Sequence, residues 1–254
     1  MQQIFDFHTH PYLDVKDDIS PHRNYFEQSA EIFIEELNSI GITRFAGSAI
    51  LHGVEGEKYI KEANDTVYTL RETYGKNYYP GITVDSRYVN ESKKEIDRML
   101  EKGLRLIGEL VPYHYGWNYS DDGFEEILSY TDGKNVVYSF HTTDDLTALE
   151  KIAEKHRDTT FVFAHPGELN RLLKHIAIMK RLSNVYLDLS GTGLFRYGML
   201  KRLCTEVGAD RIIFGTDHPV CNPGMYVGGV GLEPISEKEK ELILHKNAER
   251  ILEI

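Results

Sequence analysis

The chain has 254 residues, 41% hydrophobic, 11% aromatic and 27% charged. That is the composition of a soluble globular protein long enough to bury its own core, and it excludes collagen-like, disordered and disulfide-stapled classes. Forty Asp and Glu against 29 Lys and Arg leave a net charge of -11, which repels phosphate backbones and disfavours nucleic acid as a partner. Only Cys204 and Cys221 are present, too few for a disulfide framework, and no apolar run approaches the roughly 18 residues that cross a bilayer. The opening Met1-Gln2-Gln3-Ile4 lacks the charged region and apolar stretch of a signal peptide, so the expected location is cytoplasmic.

Taken in chain order, apolar runs bounded by polar or Gly/Pro residues predict strands over residues 3–8, 44–51, 78–84, 104–110, 136–141, 160–165, 185–190 and 211–217. Runs without strict alternation suit parallel strands buried on both faces. Helical periodicity separates them: Ile96, Met99 and Leu100 lie at i, i+3, i+4, and Leu172, Ile176 and Met179 at i, i+4, i+7. Ser236 and Glu239 have capping-box spacing ahead of a last helix with the stripe Leu244, Ala248, Ile251, Leu252. This alternation repeats at roughly the 30-residue size of a βα unit. It predicts an α/β fold, a single (β/α)8 TIM barrel forming one domain over residues 1–254. Strand counting leaves a doubly wound open sheet as the alternative.

Catalytic groups of such barrels sit at the C-terminal strand ends. Of the eleven histidines, His8 and His10 end the first run, His141 the fifth and His165 the sixth; Asp217 ends the eighth and Glu109 lies near the end of the fourth. Side chains two apart on a strand point the same way, roughly 6.6 Å apart, so His8 and His10 can reach one ion. By the same parity Asp217 shares a face with Gly215 and Ile213, leaving Phe214 and Ile212 to the helix layer, and His165 shares a face with Phe163. Taken singly, each has a plainer explanation: a hydrogen-bonded rim histidine, or a glutamate paired with Arg105. Together, four His, one Glu and one Asp at one barrel end form a polar cluster that is costly without a cation. Imidazole with carboxylate suits zinc first among divalent metals, with manganese, iron or nickel also accepted. His156, His175 and His245 fall on helices and read as solvated surface. His22, His52, His114 and His218 lie in loops at the substrate face, with His218 expected to turn away from the metal unless a turn brings it back. The aromatic loop Tyr113-His114-Tyr115-Gly116-Trp117 either closes over a ligand or packs on a neighbour. His114, Trp117, His218 and Arg23 are therefore the candidate substrate-binding residues, and Arg23 and Arg196 the basic candidates for an anionic substrate; both arginines also read as ordinary surface charges.

These residues resemble the amidohydrolase superfamily of metal-dependent hydrolases, through Asp6-Phe7-His8-Thr9-His10, His141, His165, Asp217 and Asn247-Ala248-Glu249-Arg250-Ile251-Leu252. The tracts Tyr186-Leu187-Asp188-Leu189-Ser190-Gly191 and Phe214-Gly215-Thr216-Asp217-His218-Pro219 are similar to the amidohydrolase-2 branch, which includes aminocarboxymuconate semialdehyde decarboxylase. Glu109 departs from that branch, whose decarboxylases carry no ligand on the fourth strand. It resembles instead the bridging glutamate of TatD-type hydrolases, and the 24 residues between His141 and His165 suit that arrangement. The resemblance implies one ion on His8, His10 and Asp217, a second on His141 and His165, and Glu109 between them; a Glu109 outside the ligand set implies a single ion.

The expected activity is hydrolysis of an amide, ester, lactone or phosphoester bond by a metal-activated water, with Asp217 moving the proton. Loops short for the superfamily point to a small-molecule substrate, and barrels of this superfamily often form homo-oligomers. The alternatives are single-metal, non-hydrolytic decarboxylation of a small unsaturated acid; a TatD-like nuclease, against which the charge counts; and a barrel that holds metal for stability or binding alone, against which Asp217 counts.

Overall fold

The computed structural model describes residues 3–25 and 28–254; Met1 and Gln2, part of the stretch read for a targeting signal, lie outside them. Eight strands alternate with helices: β1 (Phe5–Thr9), β2 (Arg44–Gly47), β3 (Tyr78–Ile82), β4 (Leu106–Leu110), β5 (Val137–Phe140), β6 (Thr160–Phe163), β7 (Val185–Asp188) and β8 (Ile212–Ile213). All neighbours are parallel and follow chain order. The ring closes where Phe7 N–H donates to the Phe214 carbonyl at 2.9 Å and Asp217 N–H to the His8 carbonyl at 2.8 Å. The chain is a (β/α)8 barrel, and that closure removes the open-sheet alternative. No helix among the described residues is long and apolar enough to cross a membrane.

Period-two burial sorts the strand residues into two layers. Phe7, Ala46, Tyr79, Leu106, Val137, Val162 and Ile213 form one interior cluster. Their strand neighbours Phe45, Tyr78, Ile107, Tyr138, Phe161 and Ile212 join the larger cluster that the helices cover. The helices bury the predicted stripes: Ile96 and Met99 from Val89–Leu100, and Leu172, Ile176 and Met179 from Leu169–Arg181. The capping box forms, with Ser236 Oγ accepting from Glu239 N–H and the Glu239 carboxylate from Ser236 N–H. A Ser N-cap of this kind contributes about 1 kcal/mol. The helix it starts runs through three contiguous segments, Glu237–Glu241, a π-helical Leu242–Lys246 and Asn247–Leu252, and buries Leu244, Ala248 and Leu252.

β4 ends where predicted and β1 one residue later, but the other six strands end earlier, on the side where the chain leaves the ladder for the site. β6 stops at Phe163 and β8 at Ile213, where Phe214 N–H turns to the Ile243 carbonyl at 2.9 Å, and beyond them His165 and Asp217 take left-handed backbone with φ of 66° and 65°. Parity therefore misplaces His165. Phe163 packs in the helix layer, and the left-handed residue turns His165 away from that face. Ile213 inside, with Ile212 and Phe214 outside, follow the expected alternation. Glu109 follows Gly108, whose φ is 105° and whose missing Cβ would sit 2.3 Å from the Ser139 carbonyl oxygen. Only glycine fits there.

Three histidines correct the expectation of a solvated surface: His156, His175 and His245 are all buried. His156 bridges Asp132 and Glu125, and His245 pairs with Glu249. Among the described residues His175 has no hydrogen-bond partner on either ring nitrogen. Burial pushes its pKa down to about 3, so it stays neutral in the folded chain. Since the unfolded value is about 6.5, the unfolded chain takes up this proton first, and stability falls as the pH drops from about 6.5 toward 3. The variant His175→Leu is expected to lose less of its Tm than wild type between about pH 7 and about pH 5; equal losses would acquit His175 as a source of acid sensitivity.

Candidate metal centre

The barrel brings together the six residues singled out as ligands. Glu109 stands at the middle, and its two oxygens face different pairs of imidazoles. Oε2 lies 3.2 Å from His8 Nε2 and 3.3 Å from His10 Nε2. Oε1 lies 3.2 Å from both His141 Nδ1 and His165 Nε2. Asp217 Oδ1 closes the first group, 3.6 Å from His8 Nε2 and 3.4 Å from His10 Nε2. Arg105, the alternative partner for Glu109, points elsewhere, toward the Asn135 carbonyl and Glu253. Among the described residues no lysine or arginine pairs with Glu109.

The strands that carry these ligands are locked to one another. Asp6 Oδ1 accepts from His8 N–H at 3.1 Å and Thr216 N–H at 3.0 Å, and Oδ2 accepts from the Thr216 hydroxyl at 2.6 Å. One buried carboxyl thus joins β1 to the segment that presents Asp217. Burial pushes its pKa up to about 7 against these hydrogen bonds. Within the cluster burial disfavours every charge, yet the imidazoles, His8 foremost, hold the Glu109 carboxyl well below the usual carboxylate range. Burial would lower the histidines too, but Asp217 and Glu109 bring His10 up to about 9, and Glu109 and Asp188 raise His8.

Such a constellation fits divalent cations. Nitrogen faces nitrogen at 3.3 Å between His8 and His10 and at 3.1 Å between His165 and His141. With a proton on one ring each contact is a hydrogen bond; with both lone pairs turned inward, as ligation requires, the imidazoles repel, and a cation between them removes that repulsion and the cost of burying Glu109. Two groups have ligand-atom spacing for an ion: His8, His10 and Glu109, and Glu109, His141 and His165.

A cavity of about 740 Å³ opens over His141, His165 and Asp217. Leu194, Val220, Met225 and Tyr226 give it an apolar wall. Part of that wall is the helix Pro223–Leu232, where Gly224, Gly228, Gly229 and Gly231 occupy four of 10 positions. The fixed cation in the lining is Arg171, whose Nε and Nη2 donate to Asp144 Oδ1 at 2.9 and 2.7 Å. Sequence reading missed Arg171, because nothing in a helix's first turn marks one arginine as facing a cavity. It also missed Asp188 and Ser190, although their i, i+2 spacing at the end of β7 is the signal that marked His8 and His10.

The residues expected to touch substrate are dispersed. Trp117 is 2% exposed and packs on Tyr119 and Phe124, so it anchors its loop in the core. Tyr113 of that loop reaches the site, its ring 5.1 Å from that of His141. His114 sits edge-on to His52 at 5.8 Å in a separate polar pocket that Arg23 also lines. Arg23 donates to the Asp18 carbonyl at 2.7 Å, and Arg196 pairs with Glu168 at the surface. His218 turns away, as the first of its two readings had it: it is buried on Phe33, with Nε2 3.5 Å from Glu36.

The sequence profile of the amidohydrolase family matches residues 5–254. The chain belongs to the amidohydrolase family. No curated protein matches the sequence. Among solved structures, this amidohydrolase is similar to an uncharacterized TIM-barrel protein from Bordetella bronchiseptica, at 21% identity and TM-score 0.75, over 99% of this chain and 98% of that one. It is also similar to a dihydroxybenzoic acid decarboxylase from Polaromonas sp. JS666 with bound manganese and the inhibitor 2-nitroresorcinol, at 15% identity and TM-score 0.76, over 100% and 97% of the chains. A third likeness is to 5-carboxyvanillate decarboxylase from Sphingomonas paucimobilis, at 13% identity and TM-score 0.74, over 100% of both chains. At these identities the likeness is one of fold.

Gly191 tests the geometry directly. Its φ is 63°, and a Cβ there would lie 2.4 Å from His165 Nδ1. The variant Gly191→Ala is expected to lose about 1–2 kcal/mol of stability from its left-handed backbone alone. It should also displace His165, read as fewer ions per chain by elemental analysis; a folded variant with wild-type metal content would contradict this packing.

Proposed function

We propose that this amidohydrolase is a metal-dependent hydrolase with two divalent ions bridged by Glu109. One observation carries the reading: each oxygen of Glu109 faces its own pair of imidazoles at 3.2–3.3 Å. His8, His10 and Asp217 would hold one ion and His141 and His165 the other. Zinc is the expected metal by ligand type, and manganese is the ion bound in a similar structure. Divalent cations held there supply Lewis acidity, lowering the pKa of water to about 7 and offsetting charge on the substrate oxygen.

The chain's own residues do the rest. Asp217, at the edge of the cluster and lining the cavity, takes the proton of the attacking water and delivers it to the leaving group. The wall of Leu194, Val220, Met225 and Tyr226 excludes water from an apolar substrate body, and Arg171 offers an anchor for an anionic substituent. The scissile bond is an amide, ester, lactone or phosphoester of a small molecule.

A second reading is metal-dependent decarboxylation of a small unsaturated acid. The similar structures named above support it better than they support hydrolysis, and the apolar cavity with one arginine suits it equally. The Glu109 bridge stands against it. Metal content of wild type and Glu109→Ala separates the two. About two ions per chain, falling to one or fewer in the variant, together with turnover on ester, lactone or phosphoester panels, supports hydrolysis. One ion per chain, unaffected by the substitution, with CO2 release from an aromatic or unsaturated acid, overturns it in favour of the decarboxylase.

A further inference from the structure

The two imidazole pairs share one neighbour outside the ligand set. Ser190 is fully buried just after β7, and its Oγ lies 2.9 Å from His8 Nδ1 and 3.0 Å from His165 Nδ1. His8 belongs to one proposed ion and His165 to the other. The same hydroxyl donates to Asp188 Oδ1, which also accepts Ser190 N–H at 2.9 Å, while Asp188 Oδ2 faces His8 Nδ1 at 3.0 Å.

Counting protons fixes the direction of each bond. A serine hydroxyl has one proton and two lone pairs, and a carboxylate only accepts. With the Ser190 proton given to Asp188, His165 donates to Ser190 through Nδ1–H, and the Nδ1–H of His8 has two acceptors, Ser190 Oγ at 2.9 Å and Asp188 Oδ2 at 3.0 Å. A neutral imidazole with its proton on Nδ1 carries its lone pair on Nε2. In both rings Nε2 is the atom 3.2 Å from Glu109. His10 is set independently, its Nδ1 lying 3.1 Å from the Ser48 carbonyl.

We propose that Ser190 is a positioning residue common to both ion sites: held by Asp188, its one hydroxyl orients His165 and, jointly with Asp188 Oδ2, His8, and so favours the tautomer that turns Nε2 of each toward the metals. This rests on the reading of His8 and His165 as metal ligands. It makes loading of the two ions interdependent without any residue of the bridge itself, since loosening one hydroxyl loosens a ligand of each.

Competition between the full-length protein and a chromophoric chelator for zinc provides the test, with 15N spectra of the zinc-loaded, histidine-labelled protein as the second readout. In wild type, His8 and His165 should show a protonated Nδ1 and a metal-bound Nε2. Ser190→Ala is expected to weaken both zinc sites by about 10- to 100-fold and to broaden or shift both imidazole signals. Ser190→Thr, which keeps the hydroxyl, should recover most of the affinity. Should Ser190→Ala not fold, judged by circular dichroism, Asp188→Asn replaces it: the amide can donate to Nδ1, and the site containing His8 should weaken most. Unchanged zinc affinities and spectra in a folded Ser190→Ala overturn the proposal and leave the hydrolase reading standing. A wild type that takes up no zinc or manganese overturns both.

Discussion

Everything at the mouth of this barrel depends on one carboxylate buried among four imidazoles. Glu109 is ionised at a place where burial opposes ionisation, and it is held so only because His8, His10, His141 and His165 surround it. No apolar substitute for that group would leave the histidines satisfied, because Glu109 is the acceptor that all four share. The cluster is costly as a piece of protein and favourable as a cation site. The barrel offsets that cost through the apolar interior cluster and the Asp6 clasp that joins the first and last strands.

Parallel strands supply the arrangement because they deliver every C-terminal end to one face. What they do not supply is the final aim of each side chain. His165 and Asp217 reach the cluster through left-handed residues, and Glu109 through a glycine with no room for a Cβ. The ladder therefore ends where the chemistry starts. Residues that turn against the pleat are tolerated there because the surrounding hydrogen bonds over-determine them.

This explains how much of the protein could be read beforehand. Strand order, helix stripes and the capping box follow from periodicity and local chemistry, which depend on neighbours in sequence. His8 and His10 were legible for the same reason, both belonging to the strand β1 or its immediate end. His165 was found by its position at a strand end but assigned the wrong face, since a single positive φ undoes parity. His175 was misread as surface because helical pattern treats histidine as polar, whereas packing against Phe163 buries it. Trp117 and Arg171 exchanged roles for a tertiary reason: a large aromatic found a core to fill, and an unremarkable arginine found the cavity. Ser190 lay inside a tract that marked the family without marking its role, which depends on contacts 182 and 25 residues away in sequence, to His8 and His165.

The helix Pro223–Leu232 has a bearing on how such a protein changes over time. Around the ligands the backbone leaves no space: a methyl at Gly191 would strike His165. In the cavity-wall helix the lining residues are Met225, Tyr226 and Gly229, and a Cβ at Gly229 would meet only the Leu194 side chain, at 3.1 Å. Two regions a few residues apart in function are thus under opposite constraints. The proposed ion site is fixed by contact with backbone and imidazole, while the wall borders on an aliphatic side chain, Leu194, that can shift to make room. Descendants of this sequence can alter what enters the cavity while inheriting the ion chemistry intact, so ligand preference and reaction type are free to evolve on separate clocks.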